Sequence, residues 1–154
     1  MTAVADIAFD TNVLFYALDH ADREKHERCR SLLTQAMNRG FGCVPLQTLG
    51  EVCFAAARKK LVSKAVAATA AKDWGSAFEV ITATPAAFET ALDWWSADRL
   101  AFWDAVLLAS CAEAGVGALI SEDMADGATF GGVEIVSPFV SDLAARLAVH
   151  GMTL

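Results

Sequence analysis

The chain has 154 residues, of which 55% are apolar and 20% are charged, and this composition excludes an intrinsically disordered protein. A chain of this length is expected to fold as one domain, 1–154, around a single core. Its net charge of −7 argues against a protein that binds nucleic acid by charge alone, although the charge is uneven, with +3 over residues 1–72 and −10 over residues 73–154.

The hydrophobic pattern alternates between short strand-like runs and longer helical repeats. In chain order it predicts strand 4–9, helix 13–18, helix 22–39, strand 41–44, helix 46–61, helix 63–77, strand 78–82, helix 85–95, helix 102–114, strand 118–121, strand 133–136 and helix 140–149. Strands that are separated by helices form parallel sheets with helices on both faces. The sequence therefore predicts an α/β fold with a central, mainly parallel sheet of four to five strands.

The pattern predicts neither a membrane span nor an export signal. The longest stretch without a charged residue, 40–50, is too short to cross a bilayer. The first basic residue is Arg23, and Asp6 interrupts the first apolar run, which is untypical of a secretory signal. We therefore expect a cytoplasmic protein without membrane contact.

The cysteines and histidines do not form metal-binding motifs. The four cysteines include no CxxC pair, and we expect Cys29, Cys53 and Cys111 to be buried, reduced thiols because their neighbours are apolar. The histidines lie in polar or terminal stretches, which favours a surface position for His20, His26 and His150.

Acidic residues within apolar segments are the most informative charges of this chain, because charges normally lie on solvated faces. Asp10 lies between two apolar runs, and Glu51 and Asp104 are each the only charge of a long stretch. Asp123 follows the predicted strand 118–121. Asp10 and Asp123 are thus placed at the carboxyl ends of parallel strands, the edge where open α/β sheets bind ligands.

Each acid also has a structural alternative. Asp10 could be a helix N-cap, and Glu51 with Thr48 matches a capping box. Asp123 could belong to a solvated turn. Asp104 is the hardest to explain in this way, because an unpaired buried carboxylate is costly and no Lys or Arg lies at helical spacing from it.

Together the four acids require a cation. The ligand atoms that they offer are carboxylate oxygens, supported by hydroxyl and amide groups and without a histidine cluster. Hard oxygen ligands select Mg²⁺ or Mn²⁺ over zinc. Because carboxylates that face one another repel, we expect at least one raised pKa without metal, and a metal affinity that falls as the pH drops.

Four segments of the chain resemble the PIN-domain family of nucleases, and within it the VapC-type toxins of bacterial toxin–antitoxin pairs. The segments are IAFDTN at 7–12, the helical Glu51, FWDA at 102–105 and SEDMADG at 121–127, and the similarity extends from residue 4 to about residue 139. The resemblance implies a three-layer α/β/α domain that cleaves RNA with metal-activated water. It implies that one or two Mg²⁺ or Mn²⁺ ions are held by Asp10, Glu51, Asp104 and Asp123, with support from Thr11, Asn12, Ser121 and Asp126.

Basic and aromatic side chains are candidates for RNA contacts. The predicted second and third helices carry basic residues that could bind phosphates or form solvated faces: Arg23, Arg28, Arg30, Arg58, Lys59 and Lys60. Four aromatic residues could stack on bases, although their helical spacing favours the core: Trp94, Trp95, Phe102 and Trp103.

The resemblance also implies protein partners, namely a second copy of the chain and a small antitoxin. The antitoxin would lie in a hydrophobic groove, and we expect an Arg or Lys of it to neutralise the acidic site in place of metal. Setting the four proposed ligands aside leaves a net charge of −3, so the acidity of the chain largely reflects the proposed site.

Two alternatives stay open at this point. One is a PIN-like module that binds RNA or protein without catalysis. The other is a phosphatase of the haloacid dehalogenase type, which also begins with a strand that ends in Asp. That family needs a second Asp two positions on, where this chain has Asn12, and a later Lys, whereas no Lys follows Lys72.

Overall fold

In the computed structural model, which describes residues 6–154, strands and helices alternate along the chain. Their bounds are β1 Ile7–Phe9, α1 Thr11–Leu18, α2 Arg23–Asn38, β2 Cys43–Pro45, α3 Leu46–Arg58, α4 Lys64–Ala77, β3 Glu79–Ile81, α5 Pro85–Ser96, α6 Phe102–Glu113, β4 Ala118–Ile120, β5 Thr129–Phe130, β6 Val133–Val136 and α7 Leu143–Val149. Side chains cap several helices, as Asp22 does for α2 and Ser63 for α4.

The sheet has the strand order β3-β2-β1-β4-β6-β5, and every neighbouring pair is parallel except β5 with β6. It therefore has six strands and not the predicted four to five. The strand that the sequence pattern missed is β5, which has two residues and cannot show an alternating pattern. It turns back onto β6 through Gly131 and Gly132, whose φ angles of 56° and 83° are those that a tight hairpin requires.

Alternate residues of the strands bury opposite faces of the sheet. Ile7 and Phe9 of β1 pack in a core with side chains of α1 to α4 and α7, whereas Ala8 packs on the other face against Leu107 and Cys111 of α6. Helix α5 packs outside α6. The predicted α/β class and the mostly parallel sheet with helices on both faces are confirmed.

The element boundaries differ from the prediction in small ways. Helix α7 begins at Leu143, three residues later than expected, and the first half of the expected strand 41–44 lies outside β2. At Gly42 the φ of 105° and a close approach to the Phe9 ring exclude an ordinary extended residue. The start of the expected strand 4–9 lies outside the described residues.

Two expectations about titratable side chains need correction. His26 is buried, and its Nδ1 lies 2.8 Å from the carbonyl oxygen of Tyr16. His150 is largely covered by the carboxylates of Asp6 and Glu134. Cys29 and Cys111 are buried thiols as predicted, and Cys53 is only half-buried. Among residues 6–154, no helix is long and apolar enough to cross a membrane.

Candidate active site

Strands β1 and β4 end side by side and bring two polar residues together at the carboxyl edge of the sheet. Phe9 is in register with Ile120, so Asp10 and Ser121 follow at the same level. The Ser121 hydroxyl donates to Asp10 Oδ2 at 2.7 Å, and the Thr11 N–H donates to Asp10 Oδ1 at 2.7 Å. Asp10 is thus the N-cap of α1 and at the same time the first acid of the candidate site.

Asn12 joins this edge to the loop that follows β4. Its side-chain amide lies 3.2 Å from both Ser121 Oγ and Asp123 Oδ2, and its Oδ1 accepts the Glu122 N–H at 3.1 Å. The amide also reaches Asp10 Oδ2 at 3.4 Å. A single buried amide therefore fixes the position of Asp123 relative to Asp10.

Glu51 enters the site from α3. Its Oε2 accepts the Thr11 hydroxyl at 2.6 Å, and its Oε1 accepts the Gln47 side-chain amide at 2.8 Å. The capping-box alternative for Thr48 and Glu51 is wrong, because α3 already begins at Leu46 and Thr48 donates to the carbonyl of Pro45 from within the helix.

Asp104 lies in the first turn of α6, next to α3. The Gln47 amide donates to the Trp103 carbonyl at 3.2 Å and so ties the start of α6 to the Glu51 helix. The Asp104 side chain is half-buried, and within residues 6–154 no hydrogen bond restrains its carboxylate. Burial, followed by the charges of Asp123 and Glu51, raises the pKa of Asp104.

The same charges act on Asp10. Burial raises its pKa from the ordinary value of 3.8 to about 6, although the hydrogen bonds from Ser121 and Thr11 oppose the increase. Asp123 and Glu51 raise the pKa of Asp10 further by repulsion. The four acids therefore form one electrostatic group, and in the described part of the chain none of them is ion-paired with a Lys or Arg.

The donor set of this group fits a hard divalent cation. All four acids offer carboxylate oxygens, and the neighbouring polar groups are hydroxyls and an amide. Such donors suit Mg²⁺ or Mn²⁺, and a cation would offset both the burial and the mutual repulsion that raise the pKa values of Asp10 and Asp104. As the side chains stand, no three His, Cys, Asp or Glu residues within 6–154 are arranged to hold a metal ion.

A second set of side chains, which the sequence analysis missed, anchors the Asp123 loop. Lys25 and the Tyr16 hydroxyl both donate to the Glu122 carboxylate, and the Lys25 ammonium lies about 5 Å from the ring centres of Tyr16 and Phe139. Burial opposes these hydrogen bonds, but they prevail and lower the pKa of Glu122. Since Lys25 is 97 positions from Glu122, no local pattern could reveal the pair.

Asp126, predicted as a supporting group, is engaged elsewhere. Both of its carboxylate oxygens accept from Arg146 at 2.8 Å, and its Oδ1 also accepts the Ser137 N–H. Both of these bonds come from Nη1 of Arg146, whose Nη2 donates to Glu134, and the hydrogen bonds from Arg146 lower the pKa of Asp126. In this structure Asp126 is therefore paired with Arg146 of α7 and is not one of the four-acid group.

The six basic residues that were expected to contact RNA do not share one surface. Arg23 is ion-paired with Glu27, and Arg28 and Arg30 line grooves on α2 together with acidic residues. Arg58 lies over the Phe54 ring, and Lys60 is exposed with a φ of 54°.

Lys59 is different, because it lines a cleft that also contains Asp123. Among the aromatic candidates, Trp94 and Phe102 are half-buried as core packing requires. The core expectation is wrong for Trp95 and Trp103, which are 48% and 62% exposed.

The comparison with known families decides between these interpretations. The family model for the PIN domain matches residues 7–125, which include all four acids. The chain belongs to the PIN domain family. This assignment confirms the family that the four segments indicated, and it leaves the haloacid dehalogenase alternative without support.

Solved structures share this PIN fold at low sequence identity. VapC20 of Mycobacterium tuberculosis, described as a toxin that cleaves the sarcin–ricin loop, is 20% identical with a TM-score of 0.63, and the match covers 76% of this chain and 89% of that one. A DNA-bound VapBC complex from Salmonella typhimurium is 14% identical with a TM-score of 0.64, and the match covers 88% of this chain and 99% of that one. A toxin–antitoxin complex from Klebsiella pneumoniae is 24% identical with a TM-score of 0.59, and the match covers 86% of this chain and 98% of that one. Among curated proteins no sequence matches.

Proposed function

We propose that this PIN domain is an endoribonuclease that depends on Mg²⁺ or Mn²⁺. The observation that carries the proposal is the group of four acids at the carboxyl edge of the sheet, two of which have raised pKa values and none of which has a basic partner within residues 6–154. Burying several carboxylates together costs stability, through desolvation first and mutual repulsion second, and a bound cation offsets that cost.

In the proposed mechanism the metal would be held by Asp10, Glu51, Asp104 and Asp123. A divalent ion supplies a water nucleophile near neutral pH and stabilises the charge that develops on a phosphate. The chain's own residues prepare the ligands: Ser121 and Thr11 orient Asp10 and Glu51, and Asn12 sets the position of Asp123. Asp104 carries no such restraint within the described chain, so its side chain can rotate toward a metal.

RNA is the substrate that we propose, and a toxin of a VapBC-type pair is the proposed biological role. Support comes from the similar fold of a toxin described as cleaving the sarcin–ricin loop and from two similar structures that are toxin–antitoxin complexes. The single domain 1–154 and a cytoplasmic location belong to the same proposal.

An antitoxin and a second copy of the chain are the proposed protein partners. Apolar side chains beside the acids support a protein contact, since Leu46 and Phe54 on α3 are 54% and 69% exposed and Trp103 adjoins Asp104. We expect a basic antitoxin side chain to pair with the acids in place of metal. An antitoxin that inhibits equally well after loss of its basic C-terminal residues would contradict this expectation.

The test is incubation of the purified protein with structured RNA in the presence of Mg²⁺, with and without a chelator, beside Asp10→Asn and Asp104→Asn. We expect cleavage by the unmodified protein, which the chelator stops and both substitutions abolish. Cleavage by the two variants at the unmodified rate would contradict the nuclease assignment. RNA binding without cleavage in any condition would instead favour the non-catalytic module.

A further inference from the structure

A cleft of about 400 Å³ opens beside the acidic group, between α1 and α3. Its volume is within the range of sites that bind small organic ligands, and it is continuous with the site because Asp123 lines it. The other residues that line it are Thr11, Asn12, Phe15, Tyr16, Asp19, Ala55 and Lys59.

The two helices that form the cleft run side by side in the same direction. Near the site Thr11 of α1 donates to Glu51 of α3, and further along, one turn on α1 and two turns on α3, Phe15 contacts Lys59. Glu51, Ala55 and Lys59 are spaced at i, i+4 and i+8, so they lie along one face of α3 and its C-terminal cap. At about 1.5 Å per residue, Lys59 is roughly 12 Å from Glu51 along the helix axis.

The cleft contains two features that a nucleic acid strand can use, a basic side chain and an aromatic ring, beside the carboxylates of Asp19 and Asp123. Lys59 is the one basic residue among those that line it, and within residues 6–154 no carboxylate forms an ion pair with its ammonium. Lys25, by contrast, is neutralised by Glu122. The small side chain of Ala55 leaves the wall between Glu51 and Lys59 open, and Phe15 offers an apolar surface below the Lys59 ammonium, which lies 4.9 Å from its ring centre.

We propose that this cleft binds the single-stranded RNA next to the scissile bond, and that Lys59 binds one of its phosphates. This inference rests on the proposed nuclease function, because it takes the acidic group as the place of cleavage. A strand whose phosphate lies at the acids must continue over the adjoining surface, and the cleft provides a path along α3 from Glu51 to the Lys59 ammonium beside Phe15.

The first test is equilibrium binding of a fluorescent single-stranded RNA, measured by anisotropy at several salt concentrations in the Asp104→Asn background. We expect Lys59→Gln to weaken binding about fivefold at low salt and to reduce the slope of log affinity against log salt by about 0.7, the value for one phosphate contact. The matched control is Lys72→Gln, an exposed lysine of α4 outside the cleft, which should change neither quantity. Equal effects of the two substitutions would overturn the proposal.

The second test fills the cleft. Ala55→Leu is compatible with a helix, and we expect it to lower kcat/KM for RNA at least tenfold more than kcat/KM for the small diester bis(p-nitrophenyl) phosphate, which is too short to occupy the cleft. An equal decrease for both substrates would contradict an RNA-binding cleft while leaving the nuclease intact. Failure of the unmodified protein to hydrolyse either substrate would contradict the proposed function instead, and the binding experiment would still test Lys59.

Discussion

Two acidic clusters in this PIN domain differ in how their charge is balanced. At the carboxyl edge of the sheet, Asp10, Glu51, Asp104 and Asp123 face one another without a basic partner among the described residues. Around α7, Asp6, Asp126 and Glu134 are held by contacts with Arg146 and His150.

The titration behaviour of the two clusters is opposite. Burial and neighbouring charges raise the pKa of Asp10 and Asp104, whereas His150 and Arg146 lower that of Glu134, and Arg146 lowers that of Asp126. The backbone accommodates the balanced cluster at Gly117, where a Cβ would lie 2.5 Å from Asp6 Oδ1 and 2.8 Å from His150 Nδ1. The comparison is the basis of two expectations: that the cluster around α7 contributes to stability, and that the four-acid group serves the proposed function.

The largest expected effect separates the two clusters by activity. Asp104→Asn should lower RNA cleavage by about 10³-fold, or about 4 kcal/mol in transition-state stabilisation, because it removes a proposed metal ligand. Glu134→Gln keeps a similar side-chain volume in the balanced cluster and should leave cleavage per folded molecule within about twofold. The measurement is the rate of RNA cleavage on gels, normalised to the folded fraction from circular dichroism. Similar losses of cleavage in both variants would contradict a functional difference between the two clusters.

The next effect is a pH dependence of stability in metal-free buffer. The pKa of Asp10 is higher in the folded state, so the folded protein binds this proton more tightly than the unfolded chain does. The stability gained from the bound proton is fully present below about pH 4 and is lost as the pH rises through about 6. Asp10→Asn cannot ionise and should gain stability relative to the unmodified protein by about 3 kcal/mol between pH 4 and pH 7. Urea unfolding at several pH values tests this difference, and a constant difference would show that Asp10 is not strained.

The balanced cluster should respond in the opposite sense. Arg146→Met removes the hydrogen bonds to Asp126 and Glu134, and we expect the free energy of unfolding to fall by about 2 kcal/mol at pH 7. The loss should shrink at acid pH. Contacts with Arg146 lower the pKa of Asp126, and contacts with His150 and Arg146 lower that of Glu134, so their contribution to stability is present at neutral pH and disappears as the pH falls and they become protonated. A destabilisation that persists unchanged at low pH would indicate lost packing instead of lost charge.

The smallest expected effect concerns the anchor of the Asp123 loop. Glu122→Gln weakens the contacts with Lys25 and Tyr16, and we expect Mg²⁺ affinity to decrease about tenfold, as is typical when a group that orients a metal ligand is altered. Glu27→Gln, which alters an exposed ion pair of α2, is the matched control and should leave the affinity unchanged. Titration calorimetry distinguishes the two, and equal affinities in all three proteins would contradict an anchoring role for Glu122.

Sequence reasoning reached the fold because its signals are local. The apolar runs, helix caps and glycine stops lie within a few residues of the elements that they define, and only the two-residue β5 carried no such signal. The acids of the site were found because they interrupt apolar segments. Asp126 has the same local context as Asp123, and only its distant partner Arg146, on α7, separates their surroundings.

The remaining features depend on contacts between distant segments. Glu122 is anchored from α2, and Lys59 differs from its neighbours Arg58 and Lys60 only because α1 packs beside α3 at that point. The exposed Trp103 lies in the first turn of α6, whose residues 105–111 are all buried, so helical periodicity alone does not reveal its exposure. Contacts of this kind leave no local pattern in a single sequence and become visible only in the folded chain.

The most direct test of the central claim is the binding of Mn²⁺ to the purified protein, followed by electron paramagnetic resonance. We expect specific binding that weakens as the pH falls from 7 to 5, is lost in Asp10→Asn and Asp104→Asn, and persists in Glu134→Gln. Mn²⁺ binding that is equal in the unmodified protein and in the Asp10 and Asp104 variants would contradict the assignment of the four-acid group as the metal centre.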